Sequence, residues 1–236
     1  MKKNLKIIVP VALVVIAVVA VVLFLIFGKT SILTKNVEKT VATESKGYKL
    51  DLRIFGTYNN KSVNKIITVS NYKNEDKTIT VSDLSASRGF DSLIKDKENN
   101  NNESINTYII KGNKYYKLVN EKLEDTKTVP YENSDIYLEG IKKMKDVKQS
   151  TDEKIGETTY KVYKGTVSKS VINNIASYTD DKFTFDADCN VEVWLTEDNY
   201  VYKVYYRVDK MTLYASYFAL GKTGKINLDE YKKEAV

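Results

Sequence analysis

VEVWLTEDNYVYKVYYRVDKMTLYASYFAL, residues 191–220, decides the fold class. Apolar and polar side chains alternate with a period of two through Val191–Thr196, Tyr200–Asp209 and Thr212–Leu220, the signature of strands with one face buried. In the middle segment Tyr202, Val204, Tyr206 and Val208 alternate with Lys203, Tyr205 and Arg207. Glu197-Asp198-Asn199 supplies the first turn, so consecutive strands here are antiparallel neighbours.

The same period extends outward. Tyr48, Leu50, Leu52 and Ile54 alternate with Lys49, Asp51 and Arg53; Ile67 and Val69, then Ile79 and Val81, continue the pattern, with turns at Asn59-Asn60-Lys61 and Asn74-Glu75-Asp76. A hairpin is predicted from Asn106–Lys111 and Lys114–Val119 around Gly112-Asn113, and a further strand over Thr158–Val167. Two helices interrupt the strands. Ser134 is a candidate N-cap for one that places Ile136, Ile141, Met144 and Val147 near one face, and Ser168 or Ser170 opens another carrying Val171, Ile172, Ile175 and Tyr178. Residues 95–104, with four consecutive Asn, read as a mobile polar loop. With no repeat and no βαβ alternation, the expected class is α+β, a long curled antiparallel sheet, or half-barrel, covered by short helices.

The N-terminus has a different solvent. Residues 7–27 carry no charged or polar side chain, and about 1.5 Å of rise per residue lets them span a bilayer core about 30 Å thick. Pro10 falls in the first turn, where a missing N–H costs little. The run is longer than the apolar region of a signal peptide and ends Phe24-Leu25-Ile26-Phe27 before Gly28, without a small-residue cleavage site, which favours an uncleaved anchor. The expected organisation is a basic cytoplasmic tail at 1–6, a single-pass transmembrane helix at 7–27, a juxtamembrane spacer or short helix at 28–45, and an extracytoplasmic domain at 46–236. Lys2, Lys3 and Lys6 favour the N-terminus inside, since a long C-terminal domain crosses largely regardless of its charge.

Composition removes several functions. The 236 residues contain no His, which excludes Ser-His-Asp, Cys-His and HExxH chemistry, and the lone Cys189 closes neither a disulfide within the chain nor a four-cysteine zinc site. Half of the net charge of +6 sits in the first six residues, and the remainder is Lys scattered among acids, so a nucleic-acid interface is not expected. All 18 Tyr lie beyond the apolar segment, so tyrosine must fill much of the core, rings inward and hydroxyls toward water or backbone.

Motif-like spacings fail on their own chemistry. Asp186, Asp188, Asn190 and Glu197 occupy positions 1, 3, 5 and 12 of a calcium loop, but position 6 is β-branched Val191 where the turn needs Gly, so no metal is expected. Gly28-Lys29-Thr30 and Gly221-Lys222-Thr223 lack the glycine of a phosphate loop five residues earlier. The acceptor patterns Asn60-Lys61-Ser62 and Asn102-Glu103-Ser104 are expected by chance in so Asn-rich a chain. No cofactor and no catalytic constellation is expected.

The order of these elements, with YIIKGNKYYKL at Tyr108–Leu118 and VEVWLTEDNYVYKVYYRVD at Val191–Asp209, resembles the LolA-like superfamily of bacterial lipoprotein carriers and LppX/LprG-type lipoproteins over about residues 45–225. The resemblance implies an incomplete β-barrel wrapped over helices, with an apolar cavity for acyl chains; related domains serve as envelope-stress sensors. Two departures stand out: no lipobox Cys is present, and an uncleaved anchor prevents free shuttling. The expectation is therefore a tethered, non-enzymatic binder of a lipid, acyl chain or lipoprotein, with Trp194, Tyr202, Val204 and Tyr206 as cavity-lining candidates. The alternative is a structural module or envelope sensor whose solid core presents a surface to a protein partner.

Overall fold

The computed structural model describes residues 32–43, 47–72, 76–83, 104–119, 122–133, 135–179 and 183–226. The expected tail, the apolar segment 7–27, most of the Asn-rich loop, the acceptor residue Asn102 and Ser134 lie outside them. No helix among the described residues is long and apolar enough to cross a membrane.

Among the described residues, twelve strands build one antiparallel sheet. They are β1 (Tyr48–Tyr58), β2 (Lys61–Asn71), β3 (Lys77–Asp83), β4 (Ser104–Lys111), β5 (Lys114–Val119), β6 (Lys122–Asp125), β7 (Lys145–Gln149), β8 (Glu153–Ile155), β9 (Thr158–Val167), β10 (Cys189–Leu195), β11 (Val201–Val208) and β12 (Met211–Phe218). The order is β6-β5-β4-β3-β2-β1-β12-β11-β10-β9-β7, with β8 paired to β9 beside β7. Sequence neighbours are sheet neighbours from β1 to β6 and from β8 to β12, while β6 and β7 lie at opposite ends, β7 pairs with β9, and β12 returns to β1, joining Lys49 to Phe218 and Gly56 to Met211 in register. Helices α1 (32–41), α2 (Ile136–Lys142) and α3 (Lys169–Thr179) complete the fold.

Alternation assigns one face of the sheet to the core. Tyr48, Leu50, Leu52 and Ile54 of β1, Val191, Val193 and Leu195 of β10, and Met211, Leu213, Ala215 and Tyr217 of β12 are buried in a single cluster. Burying an aliphatic side chain of this size contributes about 1.5–3 kcal/mol. The helices cap the same face: Tyr137, Leu138 and Ile141 of α2 and Ile172, Ile175 and Ala176 of α3 join the cluster. Gly140 lets them close, because a Cβ there would stand 2.4 Å from the Tyr206 hydroxyl and 2.7 Å from Ile175 Cδ1.

Three expectations are corrected. Within residues 28–45, read as a juxtamembrane spacer or short helix, residues 32–41 do form a short helix, α1, but its Leu33 and Val37 belong to the core, so among the described residues three helices and not two cover the sheet. Helix α2 stops at Lys142, its cap position is Asp135, and Asp135 makes no side-chain cap hydrogen bond. Met144 and Val147 are buried as expected, but Met144 follows the helix and Val147 comes from β7.

Candidate functional site

The four cavity-lining candidates divide between two faces, Trp194 by the ordinary alternation of β10 and Tyr202 by a β-bulge. Trp194 pairs with Lys203 and Leu195 with Val201, so β11 carries one extra residue and the alternation shifts at Tyr202. The turn before it is built locally: Asn199 takes φ 62°, Tyr200 N–H donates to Thr196 Oγ1 at 3.1 Å, and Thr196 N–H donates to the Tyr200 carbonyl at 2.9 Å. Val204 and Tyr206 consequently face the helices, whereas Trp194 and Tyr202 lie on the outer face. Uniform alternation from Tyr202 to Val208 is thereby corrected.

On the inner face, tyrosines occupy the middle of the fold. Tyr48, Tyr137, Tyr206 and Tyr217 are almost wholly buried, the Tyr137 and Tyr206 rings meet edge to face at 6.2 Å, and Tyr206 Oη donates to the Tyr137 carbonyl at 2.5 Å. Burial raises the Tyr206 hydroxyl pKa well above the usual phenol value, so it stays a neutral donor. Burial also pushes the Cys189 thiol up to about 12, which removes it as a nucleophile.

On the outer face, Tyr160 stacks on Tyr202 at 4.5 Å and lies 6.0 Å from Trp194. The Lys203 ammonium sits 3.2 Å from the Trp194 ring centroid, with Tyr205 at 5.4 Å. Burial lowers the Lys203 pKa, opposed by the carboxylates of Glu153 and Glu192. The contact is a cation–π interaction removed from water, a class that contributes about 2 kcal/mol.

A cleft of about 420 Å³ opens at one end of the sheet. Two tight turns form its sides. One is Asn59-Asn60 between β1 and β2, with φ of 47° and 59°; the other is Asp209-Lys210 between β11 and β12. Its lining is more polar than apolar: Thr57, Asn59, Asn60, Thr184, Asp186, Asp209 and Lys210 surround Tyr58, with Phe185 and Met211 almost wholly buried beneath. Its third side is a strap, residues 183–186, pinned twice in the manner of a missing strand partner. Tyr58 Oη accepts from Thr184 N–H at 3.0 Å and donates to the Thr184 carbonyl at 3.2 Å. Asn173 accepts from Phe185 N–H at 2.8 Å and donates to its carbonyl at 3.0 Å. The Tyr58 ring packs edge-on against Phe183 and Phe185.

The strap runs at Asp186 into the would-be calcium loop. Asp188 Oδ1 accepts from the Lys169 backbone N–H at 2.9 Å, satisfying an orphan donor of α3's first turn, and Asp186 pairs with Lys169 Nζ at 2.7 Å, which draws the Asp186 pKa down. Asn190 lies in β10 and Glu197 beyond its far end, so the four oxygens do not converge.

No protein-family model matches the sequence, and no curated protein matches it. Among solved structures, the chain is similar to LprF from Mycobacterium bovis, with a TM-score of 0.51 at 10% identity over 83% of this chain and 95% of that one. It also aligns with the lipoprotein LppX from Mycobacterium tuberculosis at 9% identity and a TM-score of 0.45, over 83% of this chain and 98% of that one. The chain shares the fold of LprF.

Within this fold, the strap depends on side chains at a distance, a feature that strand and helix periods do not encode. Asn173→Ala removes two partly buried hydrogen bonds, each worth about 1 kcal/mol net. The expected result is a destabilisation of about 1–2 kcal/mol with faster amide exchange at Phe185, while exchange in the middle of β1 and β12 stays slow.

Proposed function

We propose that the chain is a membrane-tethered, extracytoplasmic protein that binds an apolar ligand, a lipid, acyl chain or lipoprotein, and performs no catalysis. The supporting observation is the half-barrel fold shared with LprF, whose inner face here carries Val204 and Tyr206 and whose end opens in the cleft beside Tyr58. The cleft's volume of about 420 Å³ falls in the range of small-molecule sites. The apolar segment 7–27 supplies the tether, with its N-terminus on the cytoplasmic side, and holds the domain close to the headgroups from which such a ligand would come.

The test is native mass spectrometry of residues 28–236 after purification, followed by uptake of a fluorescent fatty acid. Thr57 is an exposed rim residue, so Thr57→Trp fills the cleft from outside the core and is expected to weaken uptake about tenfold with the melting temperature unchanged. Repeated absence of co-purified lipid together with no uptake rejects the reading.

A second reading has an observation of its own. Tyr48, Tyr137, Tyr206 and Tyr217 fill the inner face with rings and leave little accessible surface there. That is the arrangement of a solid-cored interaction module or envelope sensor acting through its exterior on a protein partner.

A further inference from the structure

Alternation along β1 sends Tyr48, Leu50, Leu52 and Ile54 into the core, which leaves Lys49, Asp51, Arg53 and Phe55 in one row on the side of the sheet away from the helices. On β12 the residue directly opposite Lys49 is Phe218, and the residue opposite Phe55 is Thr212. On β2 Thr68 is opposite Asp51 and Ile66 is opposite Arg53. Phe55 and Phe218 are 42% and 37% exposed, so two phenyl rings meet water at opposite ends of this strip. Lys49 and Arg53 are exposed as well. Asp51 accepts from Thr68 Oγ1 at 3.2 Å, and Arg53 makes no ion pair among the described residues. Aromatic rings and arginine are the side chains that protein interfaces concentrate.

Taken in reverse order, the row complements itself. Lys49 falls on Phe55, Asp51 on Arg53, Arg53 on Asp51 and Phe55 on Lys49. A two-fold axis lying in the contact plane, across the strands and between Asp51 and Arg53, generates that reversal. It sets an ammonium on a phenyl ring at each end and two reciprocal carboxylate–guanidinium pairs in the middle. Because Phe218 and Thr212 share rows with Lys49 and Phe55, the same axis lays each Phe218 ring over a Thr212 methyl. Facing sheets align within about 30° of each other, and the central charge pairs, being nearest the axis, are displaced least by such an inclination.

We propose that this strip is a contact between two copies of the chain, packed outer face to outer face about that axis. The order of charges selects the occupant. An anionic ligand or surface meets Asp51 between the two cations, and a cationic one meets Lys49 and Arg53, whereas a second copy sets each central charge against its opposite. An added peptide strand finds no open edge, since β1 and β12 are each paired on both sides. On the convex side of a curled sheet the contact is confined to β2, β1 and β12. Two strand spacings of about 4.8 Å and six residues of about 3.3 Å make a strip about 10 Å by 20 Å. That is the small end of specific interfaces, so the dimer is weak, with a dissociation constant on the order of 10–100 µM. It does not depend on the apolar-ligand reading, which concerns the opposite face.

The test is sedimentation equilibrium of the full chain in neutral dodecyl maltoside micelles, from about 1 to about 300 µM. The expected result is a monomer–dimer equilibrium that weakens as salt is raised. Arg53→Asp and Asp51→Arg should each weaken it at least tenfold, because each sets like charges against one another across the axis. Mixed in equal amounts, the two variants should associate about as tightly as the parent chain, since an acid then faces a base in both central pairs. The chain carrying both substitutions should dimerise with itself for the same reason. Phe55→Ser, at an exposed site on the same row, should weaken the dimer without lowering the melting temperature. A parent chain that stays monomeric to about 300 µM, dimerisation that survives all three single substitutions and so belongs to another surface, or failure of both the mixture and the doubly substituted chain to restore it overturns the proposal.

Discussion

Tyr206→Ala is expected to lower the unfolding free energy by about 3–5 kcal/mol, the range for truncating a large aromatic inside a packed core. The magnitude follows from position. Tyr206 has no accessible surface, lies against Tyr137 of α2, and reaches the Tyr137 carbonyl through a space that Gly140 leaves open. Tyr206→Phe keeps the ring and loses only the hydrogen bond, so about 1 kcal/mol is expected. Urea unfolding of the three proteins decides between the functional readings as well. If Tyr206 lined an open cavity, truncation would remove few contacts and cost less than about 1.5 kcal/mol, and the variant would keep or gain ligand uptake. A loss above about 3 kcal/mol with unchanged uptake instead places the ligand in the cleft beyond Tyr206.

Gly56→Val is the second large effect, expected at about 3 kcal/mol or more. Gly56 takes φ 137°, which side-chain-bearing residues rarely adopt, and a Cβ there would stand 2.0 Å from the Lys210 carbonyl oxygen. That carbonyl already accepts from Thr57 N–H at 3.0 Å, so neither strand can withdraw without opening the β1–β12 pairing. Backbone strain of about 1–3 kcal/mol adds to the steric displacement. In a domain of this size each kcal/mol lowers the melting temperature by about 2–4 °C. A fall of at least about 6 °C by circular dichroism is therefore expected, and a shift below about 2 °C would contradict this account.

The sequence is informative wherever one side of a strand meets the core and the other meets water. Thr158–Val167 and Lys114–Val119 coincide with β9 and β5, and the three strands around residues 191–220 fall within two residues of their expected ends. Strands β6, β7 and β8 are hidden because they lie at or beside the sheet's edges: Lys122–Asp125, Lys145–Gln149 and Glu153–Ile155 are mostly exposed and charged, so no alternation marks them. Helix α1, which the sequence offers only as an alternative to a spacer, is weakly marked for the opposite reason. Its buried face includes Asn36 and Thr40 beside Leu33 and Val37, so polar residues occupy positions that a hydrophobic period leaves uncounted. At the candidate site, Tyr206 and Val204 follow from parity alone, but Tyr202 does not, because a bulge is a property of two strands together. The cleft escapes for a related reason. Its strap is held by Tyr58 and Asn173, one 126 residues away in sequence from its partner and the other 12.

Helix α1 also has a mechanical meaning. Thr40 Oγ1 accepts from Val201 N–H at 2.9 Å in a buried contact, and Lys39 Nζ donates to the Asp198 carbonyl. The helix is thus fastened to the start of β11, at the bulge. Tension applied at residue 32 would therefore be carried by the Thr40–Val201 bond and the Leu33 and Val37 contacts, and passed to the turn that sets which way Tyr202 points.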